Sequence, residues 1–210
     1  MKNFFSKKED SSKVTEEENQ LRFLIIRFSS IGDIVLTTPV IRNLRKRFPE
    51  ATIDYLTKPK FASILTNNPY LDNVLQLKNN LDHTITDIEN GKYDYIIDLH
   101  RNVRTLRIKN AFRYIPFYSF NKLNIKKWIF TNFKINLLPA THIVDRYMAT
   151  VKHLGVVNDG LGLDYFIPEH EIVKEADIPF SHTHGYVAIA IGAAHHTKKL
   201  PVRKLKQLVQ

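Results

Sequence analysis

Cysteine is absent from the chain. That removes disulfides, thiolate nucleophiles and cysteine-based zinc sites at once, and nothing in the composition argues for an oxidising compartment. Long apolar runs are missing too: stretches such as Phe23-Leu24-Ile25-Ile26 and Tyr186-Val187-Ala188-Ile189-Ala190-Ile191 fall far short of the roughly 18–20 residues of a spanning helix. The opening Met1-Lys2-Asn3-Phe4-Phe5-Ser6-Lys7-Lys8-Glu9-Asp10 lacks the apolar core of a secretory signal, so a cytoplasmic location is expected. Glycine is scarce, with 7 residues, and the Ser29–Asp33 loop holds a single one, which rules out a GxGxxG fingerprint or a P-loop there.

What is present describes a folded protein. Hydrophobic residues make up 43% and charged residues 25%, an ordinary globular balance. A length of 210 residues accommodates one well-cored domain and a remainder. The formal net charge of +10 implies attraction to polyanions, among them nucleic acid, anionic lipid and phosphorylated small molecules. Sign alone does not separate these classes.

Residues 1–20 are polar and mixed in charge, and are expected to form a disordered tail. From Leu21 to Arg27 a short run rich in β-formers predicts a buried parallel strand, followed by the small-residue loop Ser29–Asp33. A helix then runs to Phe48-Pro49. Either Pro39 lies in its first turn after a cap at Thr38, or a helix from Asp33 kinks there. Further apolar runs at 51–56, 73–77, 93–99 and 115–120 alternate with helical or turn segments, the pattern of a doubly wound α/β sheet.

Lys122–Leu138 is basic and aromatic and suits an amphipathic surface element. In Thr141–Leu154, Val144, Met148, Val151 and Leu154 recur at helical spacing before the stop at Gly155, with His142 and Arg146 one turn apart on the opposite face. The domain expectation is a core over 21–155, a connector over 156–184, and the start of a second α/β domain over 185–210. That second domain opens with a strand at Tyr186–Ile191 and a helix with Pro201 at its first position.

Ligands of open α/β sheets bind beyond the carboxyl ends of the strands, where helix N-termini favour anions. Asp33 falls at such a place, as an ionised acceptor able to take a proton from a hydroxyl. Aspartate is also a preferred N-cap, and spacing alone favours that role; the two coexist. Arg101, Arg104 and Arg107 recur every third residue beyond the fourth strand, either as a cationic patch suited to phosphate or carboxylate or as a solvated helix face. His142 and Arg146 offer hydrogen bonds to a ligand, although an exposed helix face needs no function. Adjacent His195 and His196 diverge on most backbones, and no metal is expected. Lys198, beside another lysine ahead of a helix, reads on its own as solvated.

Arg22-Phe23-Leu24-Ile25-Ile26-Arg27-Phe28-Ser29-Ser30-Ile31-Gly32-Asp33-Ile34-Val35-Leu36-Thr37-Thr38-Pro39 resembles the opening of glycosyltransferase family 9, which includes the lipopolysaccharide heptosyltransferases. Three more segments agree in order: Tyr93–Asp98 resembles that family's fourth strand, His142–Gly155 its His-x-x-x-Arg helix, and Lys198-Lys199-Leu200-Pro201 its Lys-x-Trp-Pro motif, with Leu200 replacing the tryptophan. The resemblance implies a GT-B type architecture of two Rossmann-like domains, acceptor on the first and nucleotide-sugar on the second.

On that basis Asp33 is the general base of an inverting transfer, Ser29, Ser30 and Gly32 shape its loop, and Arg101, Arg104, His142 and Arg146 hold the acceptor. Lys198 stabilises the leaving diphosphate. The donor is a nucleotide-sugar substrate, ADP-heptose for the heptosyltransferases, with no cofactor, and the acceptor is a lipid-linked saccharide. The chain is expected to hold only the beginning of the donor-side domain, which leaves open whether it is active alone. The Lys126–Phe133 cluster suits peripheral contact with the anionic inner membrane. The competing expectation is a non-catalytic basic α/β module for nucleic acid or other polyanions, although no nucleic-acid motif accompanies the charge.

Overall fold

A computed structural model describes residues 21–209 other than Leu138, Thr183, Ala190, Ala194 and His195. The expected tail at 1–20 and the His195 half of the histidine pair lie outside the described residues. The chain divides into two compact units, Met1–Ile167 and Pro168–Gln210.

In the first unit β1 (Arg22–Ile26), β2 (Thr52–Thr57), β3 (Asn73–Gln76), β4 (Tyr95–Asp98) and β5 (Phe117–Ser119) form one sheet in the order β3-β2-β1-β4-β5. Every pairing is parallel. The central strands are buried on both faces, which is why β1 and β4 read as near-continuous apolar runs, while β2 carries the buried Asp54 among its apolar residues. The helices of this unit are α1 (Ile31–Val35), α2 (Thr38–Arg47), α3 (Leu81–Asn90), α4 (Val103–Ala111), α5 (Asn124–Phe133) and α6 (Ile143–Met148).

The two-residue period of β1 divides the core. Phe23 and Ile25 pack with Val40, Ile41 and Leu44 of α2 and Tyr147 and Met148 of α6 on one face. Leu24 and Ile26 pack with Leu81 and Ile88 of α3 and Ile108 of α4 on the other. The doubly wound α/β sheet expected from the sequence is therefore present, with helices on both faces.

The question posed by Pro39 resolves as two helices. The chain breaks at Leu36-Thr37, and Pro39 sits in the first turn of α2, where its missing N–H removes no bond. The cap is Thr37 rather than Thr38, whose hydroxyl donates to the Val35 carbonyl at 2.8 Å. The helix expected over Thr141–Leu154 is shorter. α6 stops at Met148, where the Thr150 hydroxyl donates to the Tyr147 carbonyl at 2.6 Å and competes with the helical ladder. A single 3₁₀ turn follows at Lys152–Leu154, closed by Gly155 at φ 74°.

Beyond Gly155 the chain has no hydrophobic period, yet it is fixed to α2 by side-chain chemistry. Arg42, 2% exposed, binds the two carboxylate oxygens of Asp159 at 2.7 and 2.8 Å, the Asp164 carboxylate and the Gly162 carbonyl. The Asp159 and Asp164 amides donate to Asn43 and Thr38. The Arg42 guanidinium, joined by Lys46 at 2.6 Å, holds the Asp159 carboxyl far below the usual range despite the opposing effect of burial.

The second unit carries α7 (Val202–Val209), with Pro201 one place ahead of the helix and its carbonyl accepting from Leu205 at 3.0 Å. The strand expected at 186–191 does not form: its described residues carry no regular structure, and Val187 is 89% exposed. An apolar run becomes a strand only beside a neighbour that takes its backbone hydrogen bonds, and no ladder reaches this segment among the described residues. No described helix is long and apolar enough to cross a membrane.

Candidate functional site

Strand order reverses at β1: β2 and β3 lie to one side, β4 and β5 to the other. The crevice outside the carboxyl ends of β1 and β4 is thus the topological switch point, the place where open α/β sheets bind ligands. Two loops border it, Arg27–Ser30 after β1 and Leu99–Asn102 after β4.

Arg27 joins them. It is 7% exposed, and each of its nitrogens is engaged: Nη1 donates to the Leu99 carbonyl at 2.6 Å, Nε to the Ser29 carbonyl at 2.8 Å, and Nη2 meets Asp33 Oδ2 at 2.8 Å. Its guanidinium also lies 5.8 Å from the ring centroid of Tyr147. A buried arginine persists where every donor is satisfied.

Asp33 is not the N-cap of α1; Ser30 is. Asp33 stands three residues later and reaches back, Oδ2 accepting from the Ser30 N–H at 3.2 Å and the Ser30 hydroxyl at 2.9 Å. All three tethers, from Arg27 and from Ser30, end on Oδ2. Oδ1 has no hydrogen-bond partner among the described residues, and the side chain is 40% exposed. Burial pushes the Asp33 carboxyl up, but the Ser30 donors and the Arg27 charge outweigh it, so it titrates below its ordinary value and is ionised at neutral pH. Gly32 beside it has ordinary backbone geometry, and a Cβ there meets nothing within 4 Å. Neither packing nor backbone requires glycine at that position.

The second loop is closed by Asp98 at the end of β4, whose Oδ1 accepts the N–H groups of His100 at 2.9 Å and Arg101 at 2.7 Å. Asp98 is 2% exposed, and burial pushes its carboxyl up. Arg101 takes a left-handed backbone at φ 48° and directs its guanidinium to Asn121 Oδ1 at 3.3 Å. Arg146 of α6 donates to the Asn121 carbonyl and lies 4.8 Å from the Phe120 ring centroid, so Arg101 and Arg146 converge on one segment.

The remaining sequence candidates are more dispersed. Arg104 is exposed on the first turn of α4, and Arg107 pairs with Asp82 at 3.3 Å as a solvated ion pair. His142 is the exposed N-cap of α6, its Nδ1 accepting from Val144 at 3.3 Å. Lys198 is exposed at the end of a 3₁₀ turn in the second unit.

Two residues escaped the sequence reading. Arg27 carried a signal, a charge ending an apolar strand run. His100 carried less, because its environment is assembled from three different strand ends. Its ring packs on Phe28 with centroids 5.0 Å apart, and Nδ1 is buried without a hydrogen-bond partner. Burial, with the charges of Arg27, Lys122 and Lys58, holds the imidazole down at about 4, so it is neutral at physiological pH.

The parallel order β3-β2-β1-β4-β5 with its switch-point crevice is a Rossmann-like sheet, the GT-B type in its solved neighbours. Solved glycosyltransferases share it. A family 9 glycosyltransferase of Veillonella parvula covers 90% of this chain at TM-score 0.67 and 22% identity, and this chain covers 58% of it. The Escherichia coli heptosyltransferase WaaC with ADP covers 90% at TM-score 0.60 and 18% identity, with 63% of that chain covered. By sequence, the chain is 37% identical to an E. coli lipopolysaccharide heptosyltransferase 3 over 78 residues, 32% of this chain and 23% of that protein. It is 29% identical to the K12 form over 143 residues, 60% of this chain and 40% of that protein. The matches thus span two fifths or less of the curated relatives. No family model matches the chain. Within that span the chain is similar to lipopolysaccharide heptosyltransferases and shares the fold of a family 9 glycosyltransferase, the family that its opening segment resembles.

Proposed function

We propose that the first unit forms the acceptor side of an inverting glycosyltransferase site in which Asp33 is the general base. One observation carries this reading: Asp33 has one oxygen tied to Arg27 and Ser30 and the other without a hydrogen-bond partner among the described residues, on a side chain 40% exposed. Tethering fixes the carboxylate's direction, and the open Oδ1 is positioned to accept a proton.

In the proposed step the acceptor hydroxyl oxygen attacks the anomeric carbon of a nucleotide-sugar. The bond from that carbon to the diphosphate oxygen breaks, the bonding pair leaves with the nucleoside diphosphate, and the hydroxyl proton passes to Asp33 Oδ1. A carboxylate held below its ordinary value is a weak base, so transfer occurs late, after the attacking oxygen has become acidic through its new bond to carbon. Ser29, Ser30 and Gly32 shape the loop, and Arg101, Arg104, His142 and Arg146 receive the acceptor.

Lys198, at the start of a donor-side Rossmann-like domain opening near residue 185, offsets charge developing on the diphosphate. The resemblance to heptosyltransferases favours ADP-heptose as donor and a lipopolysaccharide-core saccharide as acceptor. The site then works in the cytoplasm, with Lys126 and Trp128 of α5 against the anionic inner leaflet. Incubation of this chain joined to a complete donor-side domain with ADP-heptose and inner-core saccharide, followed by mass spectrometry and NMR of the product, tests the reading. A saccharide heavier by one heptose, with anomeric configuration opposite to that of the donor, is expected. Transfer with retained configuration would overturn the mechanism.

A further inference from the structure

Charge is not spread evenly along the chain. Between Asp98 and Asp145 there is no aspartate or glutamate, while the same stretch carries nine lysines and arginines. Almost the whole formal net charge of +10 resides there, and the remainder of the chain is close to neutral. A surface that meets only water mixes both signs, so the loss of every acid from α4, β5 and α5 suits a partner of negative charge.

The same stretch exposes large apolar groups. Thr105, Ile108 and Phe112 are buried, which leaves Val103 and Leu106 on the opposite side of α4, 77% and 56% exposed, with Arg104 and Lys109 beside them in the exposed face. Arg107 on that face shares Asp82 of α3 at 3.3 Å, and the pair is solvated. In α5, Trp128 and Phe133 are 58% and 59% exposed, their rings meeting edge to face with centroids 5.5 Å apart. Lys126 and Lys134 are exposed to either side of them in sequence. The two helices border one cleft. Leu106 and Lys109 of α4 line it with Ser119 and Asn121 from the end of β5, and α5 begins three residues after Asn121.

Apolar and aromatic groups set among cations, with no acid, match the headgroup region of an anionic bilayer. The apolar groups enter the acyl boundary while the ammonium and guanidinium heads stay with the lipid phosphates. Nucleic acid would satisfy the cations and the rings, but it offers nothing to Val103 and Leu106, which have no ring to stack on a base.

We propose that the outer face of α4 and the aromatic face of α5 together form a docking surface for an anionic phospholipid bilayer. This widens the α5 contact named above to a second helix, and it rests on the glycosyltransferase reading only in having a lipid-linked acceptor to reach. Because α4 starts directly beyond the Leu99–Asn102 loop, docking along it brings the crevice to the bilayer surface.

Trp128 is the sole tryptophan of the chain, so its fluorescence reports this surface directly. The test mixes the full chain at near-physiological salt with phosphatidylcholine vesicles, either plain or containing about 30% phosphatidylglycerol. With phosphatidylglycerol the emission is expected to shift to the blue and to be quenched by bromine-labelled acyl chains; plain vesicles should do neither. Lys126→Ala and Arg113→Ala should each weaken partitioning about fivefold, while Lys60→Ala, exposed after β2, leaves it unchanged. Leu106→Glu should weaken it at least about tenfold with an unaltered circular dichroism spectrum, since it removes an exposed apolar group and adds an acid. No blue shift with anionic vesicles, or equal losses in Lys60→Ala and Arg113→Ala, overturns the surface. Full partitioning of Leu106→Glu and Arg113→Ala confines the contact to α5 and overturns the two-helix surface. A blue shift with single-stranded RNA but not with vesicles overturns the bilayer as partner. No donor or acceptor is present in these mixtures, so failure here and failure of Asp33 as base are separate results.

Discussion

Arg27 Nη2 and Asp33 Oδ2 meet at 2.8 Å, and this contact sets the geometry of the whole crevice. The same guanidinium holds the carbonyls of Ser29 and Leu99, so the carboxylate is referenced to both loops of the switch point through one rigid, planar group. The Ser30 donors complete the tether on the same oxygen. The free oxygen is then aimed by everything that holds the bound one.

Replacing Arg27 by methionine should therefore cost folding stability as well as function. Two loop carbonyls and a half-buried carboxylate lose their partner, a loss on the order of 3 kcal/mol. Urea unfolding at neutral pH checks this, and a cost below about 1 kcal/mol would mean that the three contacts are not formed together.

The Arg27–Asp33 pairing also has a pH signature. Asp33 titrates lower in the folded chain than its ordinary value, so its contribution to stability is fully present above that ordinary value and is lost as pH falls through the folded one. The stability difference between the native chain and Asp33→Asn should be constant at neutral pH and shrink below about pH 4. Parallel urea titrations at a series of pH values measure it; a difference that grows on acidification would contradict the direction of the shift.

Gly32→Ala separates folding from function. The added methyl meets no neighbour and lies in a helix, so stability should be unchanged or rise by about 0.4–1 kcal/mol. Transfer should nevertheless fall, with KM for the acceptor rising, because the methyl protrudes from the exposed loop segment proposed to line the acceptor. Full activity in this variant would show that this segment does not line the acceptor.

Arg42→Met tests how the chain beyond Gly155 is held. Removing a buried guanidinium leaves Asp159 and Asp164 without their shared partner, at a cost of about 3–5 kcal/mol. Hydrogen exchange should show faster exchange over residues 156–164 than over the sheet, and equal protection in both would contradict the tie.

These relationships also explain what was and was not legible in the sequence. β1 and β4 could be read because strands buried on both faces leave mostly apolar runs, β2, β3 and β5 because shorter apolar stretches stand between turn segments, and Pro39 and Gly155 punctuated the helices as their backbone chemistry demands. The Asp33 loop was legible through its resemblance to a family, while its cap was misassigned, because only the folded loop shows Ser30 taking that role. Arg42 and Asp159 meet across 117 positions, and no local pattern encodes such a contact. His100 draws its environment from the ends of several elements, so it became visible only when strand order was known. The run at 186–191 has the composition of a strand, but composition does not supply a partner to pair with.

The central claim is that Asp33 takes the acceptor proton, and the most direct measurement is the transfer rate of Asp33→Asn, in the form joined to a complete donor-side domain, under donor and acceptor saturation, with folding checked by circular dichroism. The amide keeps the size of the side chain and removes its basicity. A fall in kcat of about 10²–10⁴-fold with donor affinity retained is the predicted result. An unchanged kcat in the folded variant would contradict the assignment and return Asp33 to a purely structural place beside Ser30.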